Sequence, residues 1–386
     1  MQILVIGRTF PNEKTGSVGL FEYQQAQALN KSNNSVIYGF IDNQSIKVHT
    51  QVKKVSRVEN TLPIYGYYLP IGGLQHDIYD MIKFKLFKRL LNKVISIHGD
   101  IDIIHFHFPI LTLNNEIINY LLEKKIKFVV TEHWTKVQDK KISKRQERIL
   151  KSIFESAENI IAVSNVLSDS LDYYKSKFKI SIAPPIVVIP NLINSNFFNP
   201  KKIEDCNFNF ITIGRLTPIK GNDKVIDAFS QISKEYLSMK LIIVGEGKEK
   251  INLEKQAKKL DLEDRIEFCG YLSPEEISRK LAKADCYVTG SSIETFGVPM
   301  IEAWFSGIPV IVGSNHPLRD LINVKNGAVY DYNENNNLLI DSLAAKMKTV
   351  FHNEYDRNAI ANESYDSFSS DRVVERILRL YDNISR

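Results

Sequence analysis

Short runs rich in isoleucine and valine alternate with helix-periodic stretches along this whole sequence, and the runs come in two series. The first holds Ile3–Ile6, Val36–Phe40, Ile101–Phe108, Lys127–Thr131, Ile160–Ser164 and Ile186–Ile189. The second holds Phe208–Ile213, Lys240–Val244, Ile266–Cys269, Cys286–Thr289 and Pro309–Val312. Strands that read as continuous apolar runs are buried on both faces, as in a parallel sheet covered by helices. At 386 residues the chain is too long for one ordinary core. The pattern predicts an α/β chain of two parallel-sheet domains, joined in the turn-rich stretch Pro190–Pro200, with two helices over residues 354–386 closing it.

Composition narrows the class. Apolar residues make up 44% and charged residues 25%, ordinary values for a globular protein. Cys206, Cys269 and Cys286 form no CxxC pair, which argues against a zinc cage or a disulfide framework and fits a reducing cytosol. The opening Met1–Gly7 reads as a first strand rather than a signal peptide, and no apolar run approaches the ~18 residues of a membrane span. Charge is uneven: residues 1–190 hold 25 Lys/Arg against 17 Asp/Glu, and the remainder 25 against 28.

The strongest chemical signal is Gly290–Glu302, in which Glu294 and Glu302 flank a glycine-containing turn that enters a helix. The spacing puts Glu294 on the loop and Glu302 in the first helical turn. A carboxylate offers two acceptor oxygens to neighbouring sugar hydroxyls, and a helix start offers free N–H groups to phosphate. Taken alone, the pair serves equally well as one capping and one solvated glutamate. The second signal is Phe210–Gly221, a strand followed by a loop with Arg215 and Lys220, then a helix from about Asn222. Arginine forks onto phosphate oxygens and lysine adds a point charge; two surface cations are the plain alternative.

Two weaker signals follow. The loop Thr15-Gly16-Ser17-Val18-Gly19 precedes a helix starting near Leu20 and suits close backbone approach to a phosphate, or a simple tight turn. His133 stands just past a strand, where a parallel sheet presents its residues to ligand, though a lone histidine is more often structural. Ser273-Pro274-Glu275-Glu276 predicts a capping box, and Pro299 the first residue of a helix ending before Gly307. Other signals fail. Asp100-Ile101-Asp102 reads as strand punctuation, and His105 and His107, sharing one face of a strand, fit a packed or cleft-lining role better than a metal site. Asp331-Tyr332-Asn333 lacks the glycine and glutamate of a calcium loop, and Gly245-Glu246-Gly247 alone is poor evidence for a nicotinamide site.

In order and spacing, these residues resemble the retaining glycosyltransferases of family 4 (glycosyl transferases group 1), which have the GT-B fold. The likeness covers most of the chain and is densest between residues 186 and 313. It rests on Val188-Ile189-Pro190-Asn191, Gly214-Arg215-Leu216 with Lys220-Gly221, Gly245-Glu246-Gly247, Phe268–Leu272, the pair Glu294 and Glu302, and Glu302–Val310. The resemblance implies two Rossmann-like domains facing each other across a cleft: an acceptor-side domain over 1–190, a nucleotide-sugar domain over 191–365, and a helix over 366–386 packing back toward the first. It implies a hexosyltransferase-type enzyme that moves a sugar from a nucleoside diphosphate sugar, a UDP-sugar being favoured, to an acceptor hydroxyl with retention. No cofactor and no metal are required.

Carried over by position, Arg215 and Lys220 would bind the donor diphosphate and Glu302 the ribose hydroxyls. Glu294, with the backbone of Thr295, Phe296, Gly297 and Val298, would hold the transferred sugar. Backbone near Tyr271 and Leu272 would contact the base. His133 would lie beside the donor sugar, and the loop of Gly16, Ser17 and Gly19 would cap the diphosphate. His133, Glu294, Arg215 and Lys220 form the expected catalytic set. Ser17, where many relatives have glycine, and Trp134, where many have an acid, depart from the pattern and leave sugar and acceptor details open.

The expected partners are a nucleotide sugar and a glycan or lipid-linked acceptor. Segments 80–93 and 136–151 mix cations with apolar residues and suggest docking on an anionic membrane surface, or simply solvated helix faces. No nucleic-acid motif accompanies the charge. Abundant Asn, Lys and Ile suit an AT-rich bacterial source, and with it surface polysaccharide or glycoconjugate synthesis at the cytoplasmic, inner face of the plasma membrane. A nucleotide-sugar epimerase of GT-B fold and a non-catalytic sugar-nucleotide-binding partner are the alternatives.

Overall fold

A computed structural model describes residues 1–11, 18–32, 34–43, 52–69, 75–200 and 207–385. It separates into two units: Met1–Leu192 with Ser370–Arg386, and Ile193–Ser369. The strands of the first unit are β1 (Gln2–Gly7), β2 (Ser35–Asn43), β3 (Lys53–Glu59), β4 (Leu62–Leu69), β5 (Ile103–His107), β6 (Phe128–Glu132), β7 (Asn159–Ala162) and β8 (Ile186–Val188). Their order in the sheet is β3-β4-β2-β1-β5-β6-β7-β8, parallel except where β3 pairs antiparallel with β4. The second unit has β9 (Phe208–Ile213), β10 (Met239–Val244), β11 (Ile266–Gly270), β12 (Cys286–Val288), β13 (Val310–Gly313) and β14 (Gly327–Tyr330). Here the order is β11-β10-β9-β12-β13-β14, parallel throughout.

Both sheets are doubly wound. The chain enters each in an inner strand, builds outward to one side and then crosses back to the other. The reversal falls between β1 and β5 in the first unit and between β9 and β12 in the second. At such a point the two following helices lie on opposite faces, which opens a crevice at the carboxyl ends of the strands. Each unit has its own apolar core, exemplified by Ile3, Val5, Tyr38 and Phe40 in the first and Phe210, Phe229, Leu241 and Met347 in the second.

Three strands escaped the sequence reading. β3 is a charged, largely exposed edge strand, and β4 carries Pro63 and Gly66, so neither shows an apolar run. They meet in a two-residue turn, Asn60 and Thr61, with φ of 47° and 70°. Both central residues of such a turn need the left-handed region, for which Asn-Gly is the usual signal. β14 is only four residues long. Elsewhere Asp102 punctuates a strand as expected, its Oδ2 accepting the Gln2 N–H at 2.7 Å. The Ser273 capping box closes on both sides, with Ser273 Oγ accepting from Glu276 N–H and Glu276 Oε2 from Ser273 N–H. The helix expected to begin at Pro299 spans Val298–Phe305, which puts Glu302 in its second turn rather than its first.

The helix Ser370–Ser385 completes the core of the first unit. Val373, Val374, Ile377 and Tyr381 are buried there, and the Tyr381 hydroxyl shares a 2.5 Å hydrogen bond with His105 Nδ1 on β5. Arg376 donates to Val188 O and Lys127 to Ile384 O. Among the described residues no helix is long and apolar enough to cross a membrane. Removing a buried aromatic leaves a cavity worth about 3–5 kcal/mol. Tyr381→Ala should therefore lower the denaturation midpoint of the first unit, measured by hydrogen exchange at β1 and β5. Unchanged protection there would show that this helix does not support the sheet.

Candidate functional site

In the second unit the loops after β9 and β12 run side by side, because those strands are neighbours. The first passes through Gly214 and Arg215 into the short turn Pro218–Lys220 and then the helix Asn222–Ser233. The second passes through Gly290 and Glu294 into the helix Val298–Phe305. The loops touch backbone to backbone: a Cβ added to Gly221 would stand 2.1 Å from Gly290 O, and one added to Gly290 would stand 2.3 Å from Gly221 O. Only glycine fits at either place. Across this contact the Ser292 N–H donates to Ile219 O at 2.8 Å and Ser291 Oγ to the same oxygen at 3.2 Å. Asn315, following β13, donates to Ser291 O and Ser292 O and ties in a third loop.

The lacing brings Lys220 Nζ to 2.5 Å from Glu294 Oε1. The same two segments carry two further groups of opposite sign. The exposed Arg215 guanidinium makes no hydrogen bond or ion pair among the described residues. The half-buried Glu302 carboxyl likewise accepts no hydrogen bond among them, and burial pushes its pKa up to about 7. Gly297, with φ of 91°, starts the helix, followed by the partly exposed Val298. Thr295 is partly exposed, whereas Phe296 is buried with its ring against Phe368. Tyr271 and Leu272 follow β11, the tyrosine 71% exposed.

His316 was missed by the sequence reading. It follows β13, is 5% exposed, and presses its Nε2 to 2.4 Å from where a Gly297 Cβ would be. Burial lowers its pKa to about 4, with Glu294 opposing and Lys220 reinforcing the shift. The signal that drew attention to His133, a histidine just past a strand, is present here too and could have found it.

In the first unit the expected residues lie at the carboxyl ends of β1, β5 and β6. Gly19, with φ of 84°, begins the helix Leu20–Asn30; Gly16 and Ser17 lie outside the described residues. His133 is buried in a column of stacked rings that runs His105, His107, His133, Phe108. His107 Nδ1 and His133 Nε2 share a 2.9 Å hydrogen bond, and His105 Nε2 meets Thr131 Oγ1 at 2.6 Å. His105 and His107 are thus packed, hydrogen-bonded groups. Burial holds His107 and His133 well below the usual histidine range. Arg8 caps the column over Phe108 at 3.5 Å and pairs with Glu22 at 3.0 Å. Beside it, Glu132 Oε1 accepts the N–H groups of His133 and Trp134, and burial raises its pKa to about 7.

Residues 194–367 match the family described as Glycosyl transferases group 1, and residues 53–197 match Glycosyltransferase Family 4. The chain is a glycosyltransferase of the GT-B type. It is 27% identical over 191 residues to the alpha-monoglucosyldiacylglycerol synthase of Streptococcus pneumoniae, a stretch covering 47% of this chain and 43% of that one. It is 25% identical over 338 residues to the phosphatidylinositol N-acetylglucosaminyltransferase gpi3 subunit of Schizosaccharomyces pombe, covering 82% and 68%. The crystal structure of Anabaena Alr3699/HepE in complex with UDP superposes with a TM-score of 0.71 at 16% identity, over 99% of this chain and all of that one.

The basic segments of this glycosyltransferase are only partly surface. Lys83, within 80–93, is buried and donates to Leu111 O at 2.6 Å; burial drops its pKa to about 7. Lys88 lies over the rings of Phe84 and Tyr120, and Lys93 donates to Ser56 Oγ. Lys85 and Arg89 remain exposed, as do Lys136, Lys140, Lys141, Lys144, Arg148 and Lys151, while Arg145 pairs with Asp80.

The raised pKa of Glu302 fixes the sign of a stability effect. A carboxyl whose folded pKa lies above its unfolded value of 4.5 weakens the fold as pH climbs from there toward about 7. Glu302→Gln should match the parent at pH 5 and melt roughly 2–8 °C higher at pH 8. Equal melting temperatures at pH 8 would mean that the carboxylate is not held in an unfavourable place.

Proposed function

We propose that the second unit holds a nucleoside diphosphate sugar at the reversal between β9 and β12, and that the enzyme transfers its sugar to an acceptor hydroxyl with retention. The observation that carries this reading is the Lys220–Glu294 pair, on segments that also carry Arg215 and Glu302, neither of which has a side-chain partner among the described residues. Arg215 and Lys220 take the diphosphate, Glu302 the ribose diol, and Glu294 the sugar hydroxyls, with backbone of Thr295 to Val298 beside it. Tyr271 and Leu272 take the base. His133 and the loop of Gly16, Ser17 and Gly19 keep the roles that the family resemblance gives them. A UDP-sugar is favoured by the UDP in the Anabaena structure.

In the retaining reaction the bond from the anomeric carbon to phosphate oxygen breaks, and the acceptor oxygen bonds to that carbon on the same face. The departing phosphate takes the acceptor's proton. Catalysis is then chiefly positioning, plus stabilisation of the leaving diphosphate by two cations and a helix start. Losing one such electrostatic donor lowers rate by roughly 100- to 1000-fold. Arg215→Ala and Lys220→Ala should each reduce turnover by about that factor while the protein still folds. Near-parental turnover in either variant would remove the assignment.

The acceptor is proposed to be lipid-linked, in synthesis of a bacterial surface glycan or glycolipid. Two relatives are named for diacylglycerol and phosphatidylinositol products or substrates. Exposed cations of 80–93 and 136–151, together with the exposed Ile78 and Met81, would meet an anionic bilayer at its cytoplasmic face. The protein should float with phosphatidylglycerol vesicles at low salt and release at high salt. Equal flotation with neutral phosphatidylcholine vesicles, or none with either, would discard the docking surface.

A further inference from the structure

His316 belongs to none of the roles above, yet it is the buried polar side chain set against the start of the helix Val298–Phe305. Its two nitrogens are not equivalent. Nδ1 accepts the Leu318 N–H at 3.2 Å, so a neutral ring carries its hydrogen on Nε2. Nε2 lies against Gly297 and has no hydrogen-bond partner among the described residues. The ring is 5% exposed and its Nε2 is not sealed off from solvent, so a donor held in this place beside a helix start is open to an incoming acceptor. The first N–H groups of a helix have no partner within it and favour a negative oxygen. Lys220 adds positive charge on the same side, and Glu294, itself an acceptor, is already engaged by Lys220.

Resting on the donor site proposed above, we infer that His316 is a neutral hydrogen-bond donor, through Nε2–H, to the sugar-proximal phosphate of the nucleoside diphosphate. A neutral donor suits this position. It holds the phosphate without adding a further full charge to those of Lys220 and Arg215, and it stays neutral across the physiological pH range because burial keeps its pKa near 4. Gly297 is then required for a second reason besides its left-handed backbone: any side chain there would displace the imidazole.

Two substitutions separate the ring's two functions. His316→Asn places an amide oxygen where Nδ1 stands, keeping the Leu318 N–H satisfied, but does not reach the Nε2 position. His316→Gln extends an amide N–H toward that position. The experiment is calorimetric titration of each protein with UDP, ADP, GDP and dTDP, and with the monophosphate of whichever base binds best. His316→Asn should lose roughly 10- to 100-fold in diphosphate affinity, the range for a hydrogen bond to a charged acceptor. Its monophosphate affinity should change by no more than about 3-fold, and His316→Gln should recover part of the loss. Unchanged diphosphate affinity in His316→Asn overturns the inference, as does an equal loss for both ligands. Parental protein that binds no nucleotide overturns the donor site itself. A second measurement needs no variant. In protein labelled with 15N at histidine, the His316 ring should be protonated at Nε2 and bare at Nδ1, and the diphosphate but not the monophosphate should move the Nε2–H resonance. An Nδ1–H ring, or a resonance that does not move, also overturns it.

Discussion

The contact between the backbones of Gly221 and Gly290 sets the chemistry of the second unit. Two loops that begin on adjacent parallel strands would ordinarily be kept apart by their side chains. Here each presents a bare Cα, the chains approach until a Cβ on either would collide with the other's carbonyl oxygen, and Ile219 O receives hydrogen bonds from across the gap. That approach lets a lysine on one loop meet a glutamate on the other at 2.5 Å. The helix start and His316 are then fixed relative to both, because Asn315 ties the loop after β13 to the same backbone. Charge placement in this site is a consequence of backbone spacing.

The same arrangement explains why the site is polar yet not self-satisfied. Lys220 and Glu294 neutralise each other, but among the described residues Arg215 and Glu302 do not reach a partner, and Glu302 is held where ionisation is unfavourable. A fold selected for stability alone would have replaced that carboxyl with a neutral group. On the ribose-binding role proposed for Glu302, binding and stability pull in opposite directions at one residue.

Much of the fold was legible because buried parallel strands announce themselves as Ile/Val runs, and β1, β9 and β10 are of this kind. The hairpin of β3 and β4 was not legible. An exposed edge strand has no apolar face to display, and its turn uses Asn60-Thr61 in place of the glycine that usually marks it. The start of the helix that carries Glu302 lies one residue earlier than the proline signal gives, at Val298, which moves Glu302 just into the second turn. In the candidate site, Arg215, Lys220, Glu294 and Glu302 could be singled out because charged residues on glycine-bearing loops between strand and helix have a spacing. His316 has only the weaker signal of a histidine just past a strand. Its place against Gly297 depends on how β13 lies beside β12, and its hydrogen position depends on Leu318 N–H, neither of which is encoded in neighbouring letters. Lys83 erred in the other direction: counted among surface cations, it is an interior donor to the carbonyl of Leu111.

The reach of Tyr381 back to His105 has a bearing on how the molecule is made. The sheet of the first unit is written early in the chain, but the helix that covers part of its core lies beyond the whole of the second unit. At ribosomal speeds of roughly 5–20 residues per second, about 14–55 seconds pass between synthesis of β5 and arrival of Tyr381. During that interval the first unit lacks the helix that completes its core, whereas the second unit, contiguous in sequence, is whole once Ser369 is made. The later-written unit is therefore positioned to finish first, and the nascent amino-terminal half to be the one that calls on chaperones.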